Sequence, residues 1–155
     1  MEEQLKNGEF LNEQQRLRVN LQYTAAWLGE KISAFLKPYD ITQQQFNVLS
    51  ILDKQFPEPI STKEIRERMI VSNADTSRLV DRLCSKGLIW KRPCPHDGRL
   101  VQVFIAESGQ KLLQQVNTHM PQLDAEMDNL SEKELLILNQ LLNKMRFRVK
   151  SSSPA

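Results

Sequence analysis

The stretch from Ser61 to Ala106 constrains this chain most, because it places two helix starts, two β-type runs and a tight-turn dipeptide in unbroken succession. Ser61-Thr-Lys-Glu64 and Ser72-Asn-Ala-Asp75 each put a hydroxyl at a helix N-cap and a carboxylate three residues on, which satisfies orphan backbone donors at a helix start. The first of these helices is too short to stand alone and must pack on the second. Leu88-Ile-Trp-Lys-Arg92 then reads as a strand, Pro93-Cys-Pro-His-Asp-Gly98 as a turn, and Arg99-Leu-Val-Gln-Val-Phe-Ile105 as a returning strand. Asp-Gly at the tip is a hairpin signal, and Gly98 is expected to supply the positive φ that a tight tip demands. Ile60 is placed to add a very short strand beside the hairpin. The order predicts a mainly α fold, a winged helix-turn-helix whose second helix lies in a DNA major groove and whose wing is a small β-hairpin.

Charge follows the same segment. Residues 61–100 carry nine Lys/Arg against five Asp/Glu, an excess of four positive charges within a chain whose net charge is +2. Basic excess confined to a helix-turn-helix is an electrostatic footprint for double-stranded DNA.

The flanks read as helices. From Phe10 to Lys37, Leu17, Leu21, Ala25, Leu28, Ile32 and Phe35 form an apolar stripe at helical spacing. At ~1.5 Å per residue this helix is roughly 40 Å long, more than a small core can cover. Lys37-Pro38-Tyr-Asp40 ends it. Thr42-Gln-Gln-Gln45 is another capping box and opens a helix to about Gln55, with Phe46, Val48, Leu49 and Leu52 inward and Asp53 at the margin. After the hairpin, Glu107 to Met120 is helical with Leu112, Leu113, Val116 and Met120 inward, and Pro121 is expected to break or kink it. Ser131-Glu-Lys-Glu134 opens a last helix to about Lys150. There Leu135, Leu138, Leu142 and Met145 form one stripe, with Leu136, Ile137 and Leu141 on adjacent faces. The helical flanks, 10–37 and 107–150, carry surplus apolar surface and are the expected dimerisation segments; an ordinary buried core helix is the other reading of the last one. The two segments flank a DNA-binding lobe (41–106) within a single domain, with 151–155 as a flexible tail.

These residues resemble the MarR family of bacterial transcription regulators. Ile41-Thr-Gln-Gln-Gln-Phe-Asn-Val-Leu-Ser-Ile-Leu52 is similar to a helix of that family, Arg78-Leu-Val-Asp-Arg-Leu83 with Lys86-Gly-Leu-Ile89 to its recognition helix and exit, and Asp97-Gly-Arg99 to its wing signature. Ile105 and Gly109 stand where the family opens its next helix. Two departures are evident. Gly98 occupies a position that is often Arg in the family, and Ala106 one that is usually a capping Thr.

With Ser72 as N-cap, the expected DNA-binding residues are Ser72, Asn73, Ala74, Thr76, Ser77, Arg78 and Arg82 on the helix and Lys91, Arg92 and Arg99 on the wing. Asn73 suits adenine, Thr76 a thymine methyl, and Ser77 either a base or a phosphate. Arg78 and Arg82 suit phosphate or guanine, Lys91 and Arg92 suit phosphates, and Arg99 suits a narrow minor groove. Asp75 reads as a capping carboxylate, Asp97 and Gly98 as shaping the wing, Trp90 as packing at the wing base, and Leu79, Val80, Leu83 and Cys84 as the buried side of the helix. Leu17, Leu21, Leu28, Leu135, Leu138, Leu142 and Met145 are the expected dimer contacts.

The resemblance implies a homodimer, usually a repressor, that grips a pseudo-palindromic operator and is released by a small aromatic or phenolic ligand between the dimer helices and the lobe. No cofactor is expected. Cys84 and Cys94 form no framework or metal set, and His96 and His119 lack ligating neighbours. A redox role for Cys94 in the wing stays open. No nucleophile–base pair or phosphate loop suggests an enzyme. The alternative reading is a winged-helix protein-interaction module. The N-terminus lacks signal-peptide order and no apolar run approaches ~18 residues, so the expected location is cytoplasmic, at the nucleoid.

Overall fold

Asn12 begins the first helix by accepting the backbone N–H of Gln15 at 2.8 Å. The computed structural model describes Gly8, residues 10–71 and residues 75–147. In chain order it contains α1 (Glu13–Leu36), a 3-10 turn (Lys37–Tyr39), α2 (Gln43–Gln55), β1 (Ile60–Ser61) and α3 (Thr62–Arg68). Then come α4 (Thr76–Ser85), β2 (Ile89–Pro93), β3 (Val101–Ile105), α5 (Glu107–Asp124), a second 3-10 turn (Ala125–Met127) and α6 (Glu132–Arg146). The chain divides into two compact units, Met1–His119 and Met120–Ala155.

In the first unit, the three antiparallel strands lie in the order β1-β3-β2. Ile60 pairs with Val103 and Ser61 with Gln102, so the short strand expected at Ile60 is present. Ser61 is at once the end of that strand and the N-cap of α3, where it forms a complete capping box with Glu64. The two hydrogen bonds from Ser61 hold the Glu64 carboxyl below its ordinary range. Thr42 caps α2 in the same way with Gln45, whose side chain is buried because its amide oxygen accepts the Thr42 N–H at 3.0 Å.

The core joins Leu36 of α1, Val48, Leu49, Ile51 and Leu52 of α2, Ile65 of α3, Leu79, Val80 and Leu83 of α4, Ile89 and Val103 of the sheet, and Leu113 and Val116 of α5. Phe46, expected inward, is only half-buried, and Leu112 is half-buried beside Leu113. Along α1 only Leu36 is buried; Leu17 is exposed, and Leu21, Leu28, Ile32 and Phe35 are half-covered.

Two junctions fix how α4 leaves for the wing. Gly87 takes φ 69°, its N–H donates to the Cys84 carbonyl at 2.9 Å, and Leu88 N–H reaches back to the Leu83 carbonyl at 3.1 Å. This Schellman stop closes the helix with the residue that bears positive φ most easily. Gly109 at the start of α5 lies against the chain just beyond it: a Cβ there would sit 2.2 Å from the Leu88 carbonyl oxygen.

In α5, Pro121 does not end the helix, which runs on to Asp124. Proline removes a single N–H donor, and the helix passes that loss for one further turn before tightening into the 3-10 turn. In the second unit Ser131 caps α6 with Glu134 as the sequence predicts. The helix ends at Arg146 with Phe147 as its C-cap, short of the expected end near Lys150, and the tail 151–155 lies outside the described residues. No residue of α6 is buried: Leu136, Ile137, Leu138, Leu141 and Met145 are exposed, and Leu135 and Leu142 are half-covered.

Candidate nucleic-acid interface

The recognition helix starts later than its sequence suggests. Asp75, not Ser72, is the N-cap of α4: its carboxylate accepts the Arg78 backbone N–H at 3.2 Å and pairs with the Arg78 guanidinium at 3.1 Å. Ser72, Asn73 and Ala74 lie outside the described residues. A carboxylate three residues after a serine fits either role, and a carboxylate at the N-cap also meets the positive end of the helix dipole.

Moving the start of the helix changes which side chains face outward. Thr76 is 1% exposed, with its hydroxyl 3.9 Å from the Met69 sulfur, so it is core and not the thymine contact expected of it. Leu79, Val80 and Leu83 are buried beneath it as expected, whereas Cys84 is half-buried and burial pushes its thiol pKa up. The outward row of α4 is Ser77, Arg78, Asp81 and Arg82. Arg78 is exposed but engaged by Asp75, while the Arg82 side chain has no partner among the described residues.

The wing sorts its cations by strand face. Lys91 is bound to Asp81 of α4, a hydrogen bond that raises the lysine pKa. This exposed pair ties the wing to α4. Arg92 points to the other face. Its Nε donates to the Gln102 amide oxygen at 3.0 Å, its guanidinium carbon lies 4.9 Å from the Phe104 ring centroid, and its two terminal nitrogens have no partner among the described residues. Trp90 packs at the wing base as expected, stacked on Phe104 at 3.9 Å between centroids one rung from Ile89–Ile105, while staying 46% exposed.

At the tip, Cys94 N–H donates to the Leu100 carbonyl at 2.8 Å, and Asp97 accepts the Arg99 backbone N–H at 3.0 Å through its side chain and the Leu100 N–H at 2.9 Å through its carbonyl. Asp97 thus shapes the turn, as expected, and leaves the exposed Arg99 side chain free to reach outward. Gly98 does not adopt positive φ, because the connection is a longer loop rather than a two-residue turn, and a Cβ there would meet nothing within 4 Å. Gly98→Arg should therefore leave the fold unchanged and add one cation per wing. In a titration against a DNA duplex that the protein binds, affinity should rise and the log–log salt slope steepen by about 0.9 per added contact.

Three contributors to this surface escaped the sequence reading: Asp81 as the Lys91 partner, and Gln102 and Phe104 as the holders of Arg92. Two-residue periodicity along the strands puts Trp90, Arg92, Gln102 and Phe104 on one face once the register pairs Trp90 with Phe104 and Arg92 with Gln102. Register was the missing information. Among the described residues no cluster of His, Cys, Asp or Glu is placed to hold a metal ion, and no helix is long and apolar enough to cross a membrane.

The comparisons agree with this geometry. The MarR family model matches residues 39–100, which covers α2 to the wing tip. The chain is 31% identical over 116 residues to the multiple antibiotic resistance protein MarR of Escherichia coli, spanning 74% of this chain and 79% of that protein. It is also similar to a crystal structure of a cysteine-to-serine variant of E. coli MarR complexed with operator DNA, at 28% identity and a TM-score of 0.78 over 88% of this chain and 98% of that one. A Staphylococcus aureus MepR–DNA complex has the same fold at 22% identity and a TM-score of 0.74, over 88% and 97% of the two chains. With a mainly helical lobe, a three-stranded wing and this level of identity across most of MarR, the chain belongs to the MarR family.

Proposed function

We propose that this protein is a homodimeric transcription regulator that binds a pseudo-palindromic DNA operator and represses from it. The observation that carries the reading is a set of cations outside any ion pair among the described residues on one reading unit: Arg82 on α4, Arg99 at the wing tip, and Arg92, whose two terminal nitrogens stay open while Gln102 and Phe104 hold the rest of its guanidinium. Helix and wing together present base-reading and phosphate-reading side chains to adjacent grooves. The E. coli relative is a complex with operator DNA. The dimer reading is supported by the unburied apolar residues of α6 and the half-covered stripe of α1. Two copies would set their recognition helices about one DNA turn, ~34–36 Å, apart.

Release by a small aromatic or phenolic ligand is part of the same reading. An open cleft of about 490 Å³ lined by Ser33, Ala34, Lys37, Asp40, Ile41, Thr42, Gln45 and Lys86 lies where α1, α2 and the end of α4 meet, with Lys86 paired to Asp40 at 2.8 Å. Its size suits a small molecule. A ligand there would act only through differential affinity for lobe arrangements that do and do not fit the operator.

Selection from random duplex DNA with the purified protein tests the proposal. An inverted repeat with half-sites about ten base pairs apart is the expected result; salt-sensitive background binding without a motif would instead support a protein-interaction module. On the selected duplex, Arg99→Ala should lower affinity and reduce the salt slope by about 0.9 per lost contact, so by about two for a dimer. An unchanged slope would remove Arg99 from the interface.

A further inference from the structure

We infer that Phe104, with Trp90 stacked on it, is a positioning residue that aims the Arg92 guanidinium at a DNA phosphate beside the wing. The inference rests on the DNA-binding reading above. Lys91 and Arg92 are adjacent in sequence, yet their fates are opposite. Lys91 faces the helix side and is paired with Asp81, whereas Arg92 faces outward with two terminal nitrogens without a partner among the described residues. An unrestrained arginine loses much rotamer freedom when it grips a phosphate. Arg92 is restrained beforehand from two sides, by the Gln102 amide at Nε and by the Phe104 ring at 4.9 Å.

The Phe104 ring is itself held. Trp90 is its cross-strand partner, the two rings are 2° from parallel, and their centroids are 3.9 Å apart. Trp90 remains 46% exposed, so burial alone does not account for the pair. What the stack does is fix a flat surface on the outer wing face, two rungs from the Arg92–Gln102 pair and toward the body of the lobe. The arginine fork is then left open at its outer edge, the geometry that suits two phosphate oxygens.

A double-mutant cycle on the selected duplex tests this. Arg92→Gln should weaken binding and lower the salt slope by about 0.9 per protomer. Phe104→Leu keeps apolar volume but removes the ring, and should weaken binding on the order of 3-fold per lobe, as expected for an exposed cation–π contact. Phe104→Tyr keeps the ring and should restore wild-type affinity. In the Arg92→Gln background, Phe104→Leu should cost nothing further. An equal loss from Phe104→Leu in both backgrounds would mean that the ring only folds the wing, and would overturn the positioning role. So would an unchanged salt slope in Arg92→Gln. Wild-type protein that fails to bind any selected duplex would remove the DNA-binding reading itself, and this inference with it.

Discussion

Gly109→Ala should lower the thermal midpoint by roughly 5–15 °C, the largest stability loss expected from any single methyl group added to this chain. The new Cβ would stand 2.2 Å from the Leu88 carbonyl oxygen and 3.0 Å from Ile105 Cγ1. The carbonyl cannot simply retreat, because it accepts the Ala106 N–H at 3.0 Å and belongs to the residue that completes the α4 stop. Overpacking against backbone costs about 1–3 kcal/mol, and weakening the Ala106 hydrogen bond adds about 1 kcal/mol. For a protein of this size each kcal/mol is worth about 2–4 °C. Gly98→Ala is the control: its Cβ meets nothing within 4 Å and its φ is not positive, so thermal unfolding followed by circular dichroism should not move. Equal midpoints for the two variants would show that α5 does not press on the α4 exit.

Leu138→Glu combined with Leu142→Glu should yield a monomer by light scattering and abolish tight operator binding. α6 carries Leu135, Leu136, Ile137, Leu138, Leu141, Leu142 and Met145 among its 15 residues, and none of them is buried. Contiguous apolar surface of this kind on a helix marks an association face. Two carboxylates within it would have to be desolvated on pairing, which is prohibitive without partners. A monomer grips one half-site only and forgoes the effective concentration that a tethered second lobe supplies, a loss on the order of 10²–10⁴ in affinity. A double variant that remains dimeric would move the dimer contact elsewhere.

What the sequence made legible is what local chemistry decides. The capping boxes at Thr42, Ser61 and Ser131 all form, because a side chain three residues from its partner needs no tertiary information. The same rule misplaced the start of α4, since Ser72 and Asp75 both carry cap chemistry and only packing chooses between them. Burial of Thr76 against Met69 is the tertiary term that a linear reading lacks. Lys91 and Asp81 are ten residues apart on different elements, so their ion pair depends on how the wing folds back on α4. Asp-Gly reads as a tight-turn signature at Gly98, yet the turn is made by the Asp97 side chain and a longer loop. Pro121 reads as a break or a kink, and the structure shows no break at that point, since the helix runs on to Asp124.

Ser61 has a mechanical consequence. It lies opposite Gln102 in the sheet register and, through its hydroxyl and backbone N–H, locks the first turn of α3. Gln102 in turn grips Arg92 on the neighbouring strand. A push on the outer wing is therefore passed from strand to strand into the helix under the recognition helix, with no slack residue between them. Wing and helices should pivot as one lever, so that the lobe can be engaged or withdrawn from a groove only as a whole.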